Sequence, residues 1–484
     1  MATKVQRVGR NASYLFGASI VNLVLGAGCS IIVARWLGPE VYGKYALATS
    51  FALMFSGLGD LGIFVIATRE ISRHLDEAGI YIGTVALMQL VTGVVMCLAV
   101  WGATFTTNLE PAVLAGALLV ALTSLVGGFA SVADATLRGL ELMQYEASLS
   151  VLRGLGQLGG AIVLIKARKG FLALIWLSLG LAVCISVIKL LIVRRIIKKV
   201  GFRWALFTYL WAQAAPLGGA RVAGGVSARI DSTLLGTMVT PTALGWFRAA
   251  QNFVTPLWLI PQTISSALLP VLSRFAEQDP ERHQRTYIKF SKIMHLISFP
   301  LAVALFVFAE PLIHLFLGSE YLQAVLALRI MAWGIPIVFW DKPLNYSVVS
   351  TNRQILTLWT AIAGLITKTG VTLLLLGTLS HLAPAVASLA MSMVATGLAA
   401  IFVYKYVGYA PVPEKRALAK IIGSSALAGV SAWLLLPHGL ILAVIAGAGL
   451  YLAGIWFLGA VDGEDITLAK AALSSSPTES AGEV

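Results

Sequence analysis

Fourteen apolar segments, each about 20 residues long or longer, constrain the fold of this 484-residue chain more than any other feature. A helix rises about 1.5 Å per residue, so about 20 apolar residues cross the roughly 30 Å of hydrocarbon in a bilayer. Charged residues make up only 12% of the chain, against about 25% in a soluble domain. The sequence therefore predicts an all-α integral membrane protein with about 14 transmembrane helices. The segments are residues 12–34, 45–66, 79–101, 111–134, 146–165, 170–193, 208–236, 242–269, 290–316, 321–340, 354–377, 381–404, 418–436 and 439–460.

The positions of Lys and Arg predict which side of the membrane each loop occupies. With the N-terminus placed in the cytoplasm, 22 of the 35 Lys and Arg fall in cytoplasmic loops, span ends and tails, and five fall in outer loops. Cytoplasmic loops of membrane proteins carry such an excess. We therefore expect a multi-pass protein of the cytoplasmic (inner) membrane with both termini in the cytoplasm. These loops also explain the net charge of +13, so no nucleic-acid partner is expected.

A short internal repeat predicts two related halves. Residues 42–48 and 244–250 share a glycine, an aromatic residue two positions later and an alanine three positions after that, at an offset of 202. About 200 residues correspond to six spans, so the halves keep the same orientation, as in parallel repeats. The predicted parts are an N-terminal lobe of six helices at 1–200, a pseudo-symmetric lobe of six helices at 201–405, two additional helices at 406–460 and a disordered cytoplasmic tail at 461–484.

Eight Lys and Arg lie inside the apolar segments, with only about four carboxylates at comparable depth. A cation there costs roughly 2.5–3.5 kcal/mol on insertion scales, so it usually faces a polar interior or a partner. The excess of cations predicts a path for an anion, although snorkelling toward the cytoplasmic face also explains two lysines. The cations are Arg153, Lys189, Arg221, Arg229, Arg248, Lys292, Arg329 and Lys368, of which Lys189 and Lys292 are the snorkelling candidates. The carboxylates are Asp60, Asp134, Asp231 and Glu310.

Several stretches resemble a known family. LGPEVYGKYALA at 37–48, DLGI at 60–63 and ATLRGLELMQYEA at 135–147 are similar to the polysaccharide transporter (Wzx-like flippase) family of the multidrug/oligosaccharidyl-lipid/polysaccharide exporter superfamily. The stretch at 229–251 resembles the seventh and eighth spans of that family. The resemblance implies two helical lobes around a central cavity and the movement of a lipid-linked oligosaccharide across the cytoplasmic membrane by alternating access.

Charge and resemblance together predict a flippase for a polyprenyl-diphosphate-linked oligosaccharide, a polysaccharide repeat unit or glycan precursor. The alternatives are a cation-coupled small-molecule (drug) antiporter of the same superfamily and a lipid II flippase. Transporters of both of these groups typically carry a charged residue in the first span. The first span of this chain has only Asn22 as a strongly polar side chain, which counts against both alternatives. No P-loop, GxSxG or HExxH motif is present, so we do not expect an enzyme.

The candidate site residues follow from their depth and chemistry. Arginine suits a phosphate because its planar fork pairs with the phosphate oxygens and stays charged. Each candidate also has a structural alternative, a salt bridge or a hydrogen bond between helices. The predicted phosphate-binding cations are Arg153, Arg221, Arg229, Arg248, Arg329 and Lys368. Asp60 and Asp231 are candidates for coupling or gating, and Asn22, Gln251 and Asn252 are candidates for sugar contacts.

Cofactors and partners follow from the same reasoning. The three cysteines have no metal-ligand spacing, so neither a metal nor another cofactor is expected, and coupling to H⁺ or Na⁺ stays open. The expected partners are the polyprenyl-diphosphate-linked glycan, membrane lipids, and the glycan polymerase or glycosyltransferase machinery.

Overall fold

A computed structural model describes the backbone of residues 4–460 and most of their side chains. Side chains of residues 4–9, 12, 216, 217, 220, 267 and 277 are not described, and the predicted tail at 461–484 lies outside the described residues. The described residues form eighteen α-helices and contain no β-strand. Within a helix the backbone polar groups hydrogen-bond to one another, which hydrocarbon requires of a spanning segment.

The helices follow one another with short connections. The first nine are α1 (Lys4–Met54), α2 (Ser56–Asp60), α3 (Ile63–Arg73), α4 (Ala78–Thr104), α5 (Pro111–Gly139), α6 (Met143–Lys166), α7 (Phe171–Ile196), α8 (Trp204–Met238) and α9 (Pro241–Val254). The other nine are α10 (Leu259–Gln278), α11 (Pro280–Val307), α12 (Ala309–Phe316), α13 (Ala324–Ala332), α14 (Gly334–Ser350), α15 (Ile355–Leu379), α16 (Ala383–Phe402), α17 (Lys415–Leu435) and α18 (Leu440–Phe457).

The predicted all-α membrane fold is confirmed. Ten helical stretches within residues 4–460 are long and apolar enough to cross a membrane, or eleven if one bent pair counts as a single span. Each of the fourteen predicted segments falls on helical stretches, so the number fourteen is consistent with the structure and stays a prediction.

The chain separates into two compact units whose boundary falls between Arg248 and Ala249. The first unit therefore contains α1 to α8 and the beginning of α9, and the second contains the helices that follow. The predicted lobes at 1–200 and 201–405 are defined by the internal repeat, whereas the two units are defined by compactness. The lobes therefore stay a prediction, as do the two additional helices at 406–460.

The linker before α8 is hydrogen-bonded to α4, and α8 itself packs against α1 and α2 within the first unit. The backbone N–H of Gly201 donates to the carbonyl of Gly79 at 3.2 Å. A Cβ at Gly79 or Gly83 would overlap carbonyl oxygens of the linker, so only glycine permits this approach. Arg203 and Glu77 add an ion pair of 3.0 Å at the same place.

The first unit bends its helices at two points. Gly38 has a φ of 71° inside α1 and precedes Pro39, so the helix changes direction there. A positive φ is easy for glycine, and proline cannot donate a helical hydrogen bond. A second break separates α2 from α3, where Leu61 and Gly62 have φ values of 44° and 80°. Around these bends α1 packs against α5, α6 and α8, and α5 packs against α4 and α7.

Two glycines of the internal repeat make reciprocal backbone contacts within the first unit. A Cβ at Gly43 would overlap the carbonyl oxygen of Pro241, and a Cβ at Gly245 would overlap the carbonyl oxygen of Pro39. Both the glycines and the prolines are separated by 202 positions. The repeat therefore includes the prolines, and each half supplies one glycine and one proline to a joint with twofold character.

Substitutions at this Gly–Pro joint test its tightness. Gly43→Ala and Gly245→Ala should each lower the free energy of unfolding by about 1–3 kcal/mol, because a methyl group has to push two backbones apart. Gly28→Ala is the matched control, since its Cβ would meet nothing within 4 Å. Thermal unfolding of the detergent-solubilised protein measures the difference, and equal melting temperatures for all three variants would contradict the contact.

Candidate functional site

Two adjoining cavities lie inside the first unit. We call them the Lys189 cavity, of about 580 Å³, and the Asp60 cavity, of about 420 Å³, after a charged residue that lines each. Volumes of roughly 300–1,000 Å³ are typical of ligand sites. The residues that line both cavities mark the place where they meet, and these are Tyr45, Gly127, Ser131, Arg153 and Ser178.

Small residues on α1, α5 and α6 make room for these cavities. Gly26, Gly127 and Ala130 line the Lys189 cavity, where larger side chains would fill the space. Gly154 brings α6 close to α1, because a Cβ there would lie only 2.7 Å from Oδ1 of Asn22. Gly154, Gly156 and Gly160, which follow Arg153 in the sequence, therefore allow close packing around α6.

A buried ion pair forms one wall of the Lys189 cavity. Nζ of Lys189 donates a hydrogen bond of 2.6 Å to Oδ2 of Asp134, and the lysine is only 5% exposed. The other oxygen of the carboxylate, Oδ1, is buried and has no hydrogen-bond partner among the described residues. Pairing inside the bundle, and not snorkelling, therefore accounts for Lys189, and that part of the sequence interpretation is wrong.

A second, half-exposed ion pair borders the Asp60 cavity. Nη1 of Arg221 lies 3.3 Å from Oδ2 of Asp60, and the arginine and aspartate side chains are 50% and 35% exposed. The helices that carry them touch at Gly57, where a Cβ would overlap the backbone of Arg221 and Val222. The structure thus places Arg221 and Asp60, predicted as a phosphate ligand and a coupling or gating residue, in one salt bridge.

Arg153 carries the uncompensated charge at the junction of the cavities. Its side chain is exposed, lines both cavities and forms no ion pair or hydrogen bond with any residue that the structure describes. Lys189 is neutralised by Asp134, and Asp60 by Arg221. Among the charged lining residues, Arg153 is therefore the one whose charge is left for an anion.

The other predicted cations do not line these two cavities. Arg229 and Arg248 are half-buried on α8 and α9. Arg329 and Lys368 belong to the second unit, where Nη2 of Arg329 lies 3.9 Å from Glu310. The predicted coupling residue Asp231 is buried on α8, and like Arg248 and Lys368 it has a bonding partner. Of the six predicted phosphate-binding cations, Arg153 is therefore the one that lines the two cavities.

One of the three predicted sugar-contact residues, Asn22, lines the Lys189 cavity. Asn22 lines the cavity and donates from Nδ2 to Oγ of Ser150 at 3.0 Å. Gln157 lines it as well and accepts from Ser178 at 3.2 Å. Gln251 and Asn252 lie in the second unit and have partners of their own. Lining hydroxyls that the sequence interpretation did not single out are those of Ser30, Ser131, Ser150, Ser178 and Ser186.

Two sequence families match parts of the chain. The family described as "Polysaccharide biosynthesis protein" matches residues 8–276, which is more than half of the 484 residues. The family described as "MatE" matches residues 225–374. No curated protein matches the chain.

Solved structures share the fold. "Lipid II flippase MurJ, inward closed conformation" has a TM-score of 0.74 at 14% identity, over 91% of this chain and 97% of that one. An inward-facing multidrug resistance MATE family transporter of the MOP superfamily has a TM-score of 0.65 at 16% identity, over 80% and 94%. A MOP superfamily transporter from Pyrococcus furiosus, described as having a binding pocket of reverse polarity, has a TM-score of 0.59 at 16% identity, over 84% and 98%.

These similarities establish that the chain has the fold of these transporters, and they test the family resemblance predicted from the sequence. The MOP superfamily is the exporter superfamily that the sequence stretches resemble, so the predicted resemblance is confirmed. The solved structures that share the fold are described as a flippase and as transporters, in agreement with the expectation that the chain is not an enzyme.

The ion pair of the Lys189 cavity can be tested by a double-mutant cycle. Lys189→Met should lower the free energy of unfolding by about 3–5 kcal/mol, because it leaves a buried carboxylate without its partner. Adding Asp134→Leu should recover most of that loss, since no charge is then left behind. Lys166→Met, at an exposed residue, is the control. Denaturant unfolding in detergent measures the cycle, and a double variant as unstable as Lys189→Met would exclude the pairing as the cause.

Proposed function

Because the chain belongs to the polysaccharide biosynthesis protein family, we propose that it is a flippase that moves a polyprenyl-diphosphate-linked oligosaccharide from the cytoplasmic to the outer leaflet. The chain is a multi-pass membrane protein with the fold of MOP superfamily transporters. The excess of Lys and Arg in alternate loops supports a cytoplasmic membrane location with both termini in the cytoplasm. A polysaccharide repeat unit or glycan precursor is the proposed cargo.

The free guanidinium of Arg153 is the observation that carries this proposal. It lies at the junction of two cavities and forms no ion pair or hydrogen bond with an acid in the described part of the chain. A cation inside a membrane protein usually faces a polar cavity or a partner, and a guanidinium that faces a cavity is available to a counter-ion that arrives from outside. Phosphate oxygens are such counter-ions, and the planar fork of arginine binds them through two parallel hydrogen bonds.

The rest of the cavity wall suits a carbohydrate. Hydroxyl groups and amides both donate and accept hydrogen bonds, as sugar hydroxyls do. Asn22, Gln157 and five serines supply them around the Lys189 cavity. In this proposal the phosphates bind at Arg153, the sugars occupy the cavities and the prenyl chain stays in lipid. Alternating access then carries the polar headgroup across without exposing it to hydrocarbon.

A cation-coupled drug antiporter is the second candidate. It is supported by the MatE match at residues 225–374 and by the structural similarity to MATE transporters. Such an antiporter exchanges its cargo for a cation at an acidic residue, and the acids that line the cavities, Asp60 and Asp134, are each held by a basic partner. A lipid II flippase would present a diphosphate to Arg153 as well, so it differs from the main proposal in the glycan alone.

Substitution of Arg153 tests the proposed phosphate contact. Arg153→Ala should lower transport of a polyprenyl-diphosphate-linked oligosaccharide about tenfold or more, because a charge-assisted hydrogen bond contributes about 1.5–3 kcal/mol. Arg153→Lys should retain part of the activity, since it keeps the charge and loses the fork. Lectin accessibility of the flipped glycan in proteoliposomes measures the rate. Lys169→Ala, at an exposed loop residue, is the control, and full activity of Arg153→Ala would refute the role.

Deletion of the protein separates the flippase from the antiporter. If the chain is a flippase, its loss should cause lipid-linked intermediates to accumulate on the cytoplasmic side while surface glycan falls. If it is a drug antiporter, surface glycan should stay normal while drug tolerance changes. Mass spectrometry of the lipid extract and a surface glycan stain give the two readouts.

A further inference from the structure

Three charged groups line the Lys189 cavity, and their arrangement bears on which phosphates it accepts. Arg153 is free, whereas Lys189 is held by Oδ2 of Asp134 at 2.6 Å. Oδ1 of the same carboxylate is buried without a hydrogen-bond partner among the described residues. The cavity wall thus contains one cation that can bind a ligand, Arg153, and a second cation, Lys189, that is paired with Asp134.

A diphosphate diester carries more charge than the free cation can neutralise. Each of its two phosphates has one negative charge, and Arg153 offers one positive charge. A buried ion without a partner is strongly unfavourable, so the second phosphate also requires a cation. Lys189 is the other cation of this wall, and its ammonium group sits on a flexible four-carbon stem.

We propose that Lys189 is a second phosphate ligand, which leaves Asp134 when a diphosphate binds, and that Asp134 then takes up one proton. This inference rests on the proposed function. The hydrogen bond from Lys189 to Asp134 breaks, and one forms from Lys189 to a phosphate oxygen. A proton from cavity water bonds to the carboxylate, which becomes neutral. Two cations then face two phosphate charges, so the occupied cavity carries no net charge.

The surroundings of Asp134 support this exchange. Besides Lys189 on α7, the charged groups around it are Arg153 and Glu146 on α6 and Arg138 on α5. Arg138 and Glu146 bind each other through two hydrogen bonds of 2.6 and 2.8 Å. Arg138 is therefore not available to replace Lys189, and the departing lysine leaves a carboxylate that needs a proton.

Asp134 has a second role in this exchange, as the competitor that releases the substrate. When the cavity opens to the other side, Asp134 releases its proton to water, and the ionised carboxylate then attracts Lys189 back and removes one of the two contacts of the diphosphate. A site that held both cations permanently free would bind the diphosphate more tightly and release it more slowly. Lys189 and Asp134 together thereby make the site selective for a diphosphate and still allow the substrate to be released.

Binding measurements on the purified full-length protein in detergent test the inference. The probes are a short-chain prenyl-diphosphate-linked monosaccharide and the matching prenyl-monophosphate-linked monosaccharide. The wild type should bind the diphosphate about tenfold or more tightly than the monophosphate. Its affinity for the diphosphate should rise as pH falls, by up to about tenfold per pH unit, because binding takes up one proton.

Two variants separate the roles of the pair. Lys189→Met should bind both probes about equally, since the second cation is gone. Asp134→Asn should bind the diphosphate at neutral pH about tenfold more tightly than the wild type and without pH dependence, because the amide neither holds Lys189 by charge nor takes up a proton. In proteoliposomes the same variant should flip the oligosaccharide more slowly. Lys169→Met, at an exposed loop residue, should match the wild type.

The outcomes distinguish this inference from the proposed function. Equal and pH-independent binding of both probes by the wild type, with Asp134→Asn unchanged, overturns the exchange and leaves the flippase proposal intact. Binding of neither probe by the wild type overturns both. If Lys189→Met fails to fold, the pH profile of the wild type and the affinity of Asp134→Asn decide the question, because Asp134→Asn preserves the shape of the side chain.

Discussion

The free-energy cost of a charge in hydrocarbon governs the first unit. Every charged residue that lines its cavities is either tied to an opposite charge or open to the cavity itself. Asp134 with Lys189 and Asp60 with Arg221 satisfy the first condition, and Arg153 satisfies the second. This division lets a bundle of apolar helices enclose a polar chamber, because the ions are compensated while the hydroxyl groups stay available.

Glycine provides the geometry that this chamber requires. Close backbone approach at Gly57 and at the Gly–Pro joint, and close contact of Gly154 with the side chains of α1, position the helices that carry the charged groups. At Gly57 the approach seats α2 against α8, and so it places Asp60 within reach of Arg221. At Gly154 it seats α6 against α1 just beyond Arg153. The positions of the ions are thus consequences of backbone packing, and the ion pairs then follow from proximity.

Sequence alone could predict the helices but not the partners of the charges. Apolar length identifies a span directly, and each of the fourteen predicted segments falls on helix. Depth in a span does not tell which neighbour a side chain faces. The sequence therefore predicts snorkelling for Lys189, although its partner is Asp134, 55 positions away. For the same reason, Arg221 is predicted from the sequence as a phosphate-binding cation, although it pairs with Asp60. The repeat was detected through glycine and aromatic residues, while the reciprocal role of Pro39 and Pro241 required the packed structure.

The buried ion pair of Lys189 and Asp134 is difficult to explain by stability. Replacing a buried pair with apolar residues of similar volume is often neutral or stabilising, because the desolvation of two ions offsets most of their attraction. Met and Leu at 189 and 134 would fill the wall as well, yet the chain keeps a lysine and an aspartate there. Their retention next to the free Arg153 is understandable if the wall has to change its charge during the transport cycle. With Arg153 always available and Lys189 available only after it leaves Asp134, the wall can neutralise a substrate when it binds and bind it more weakly when it has to be released.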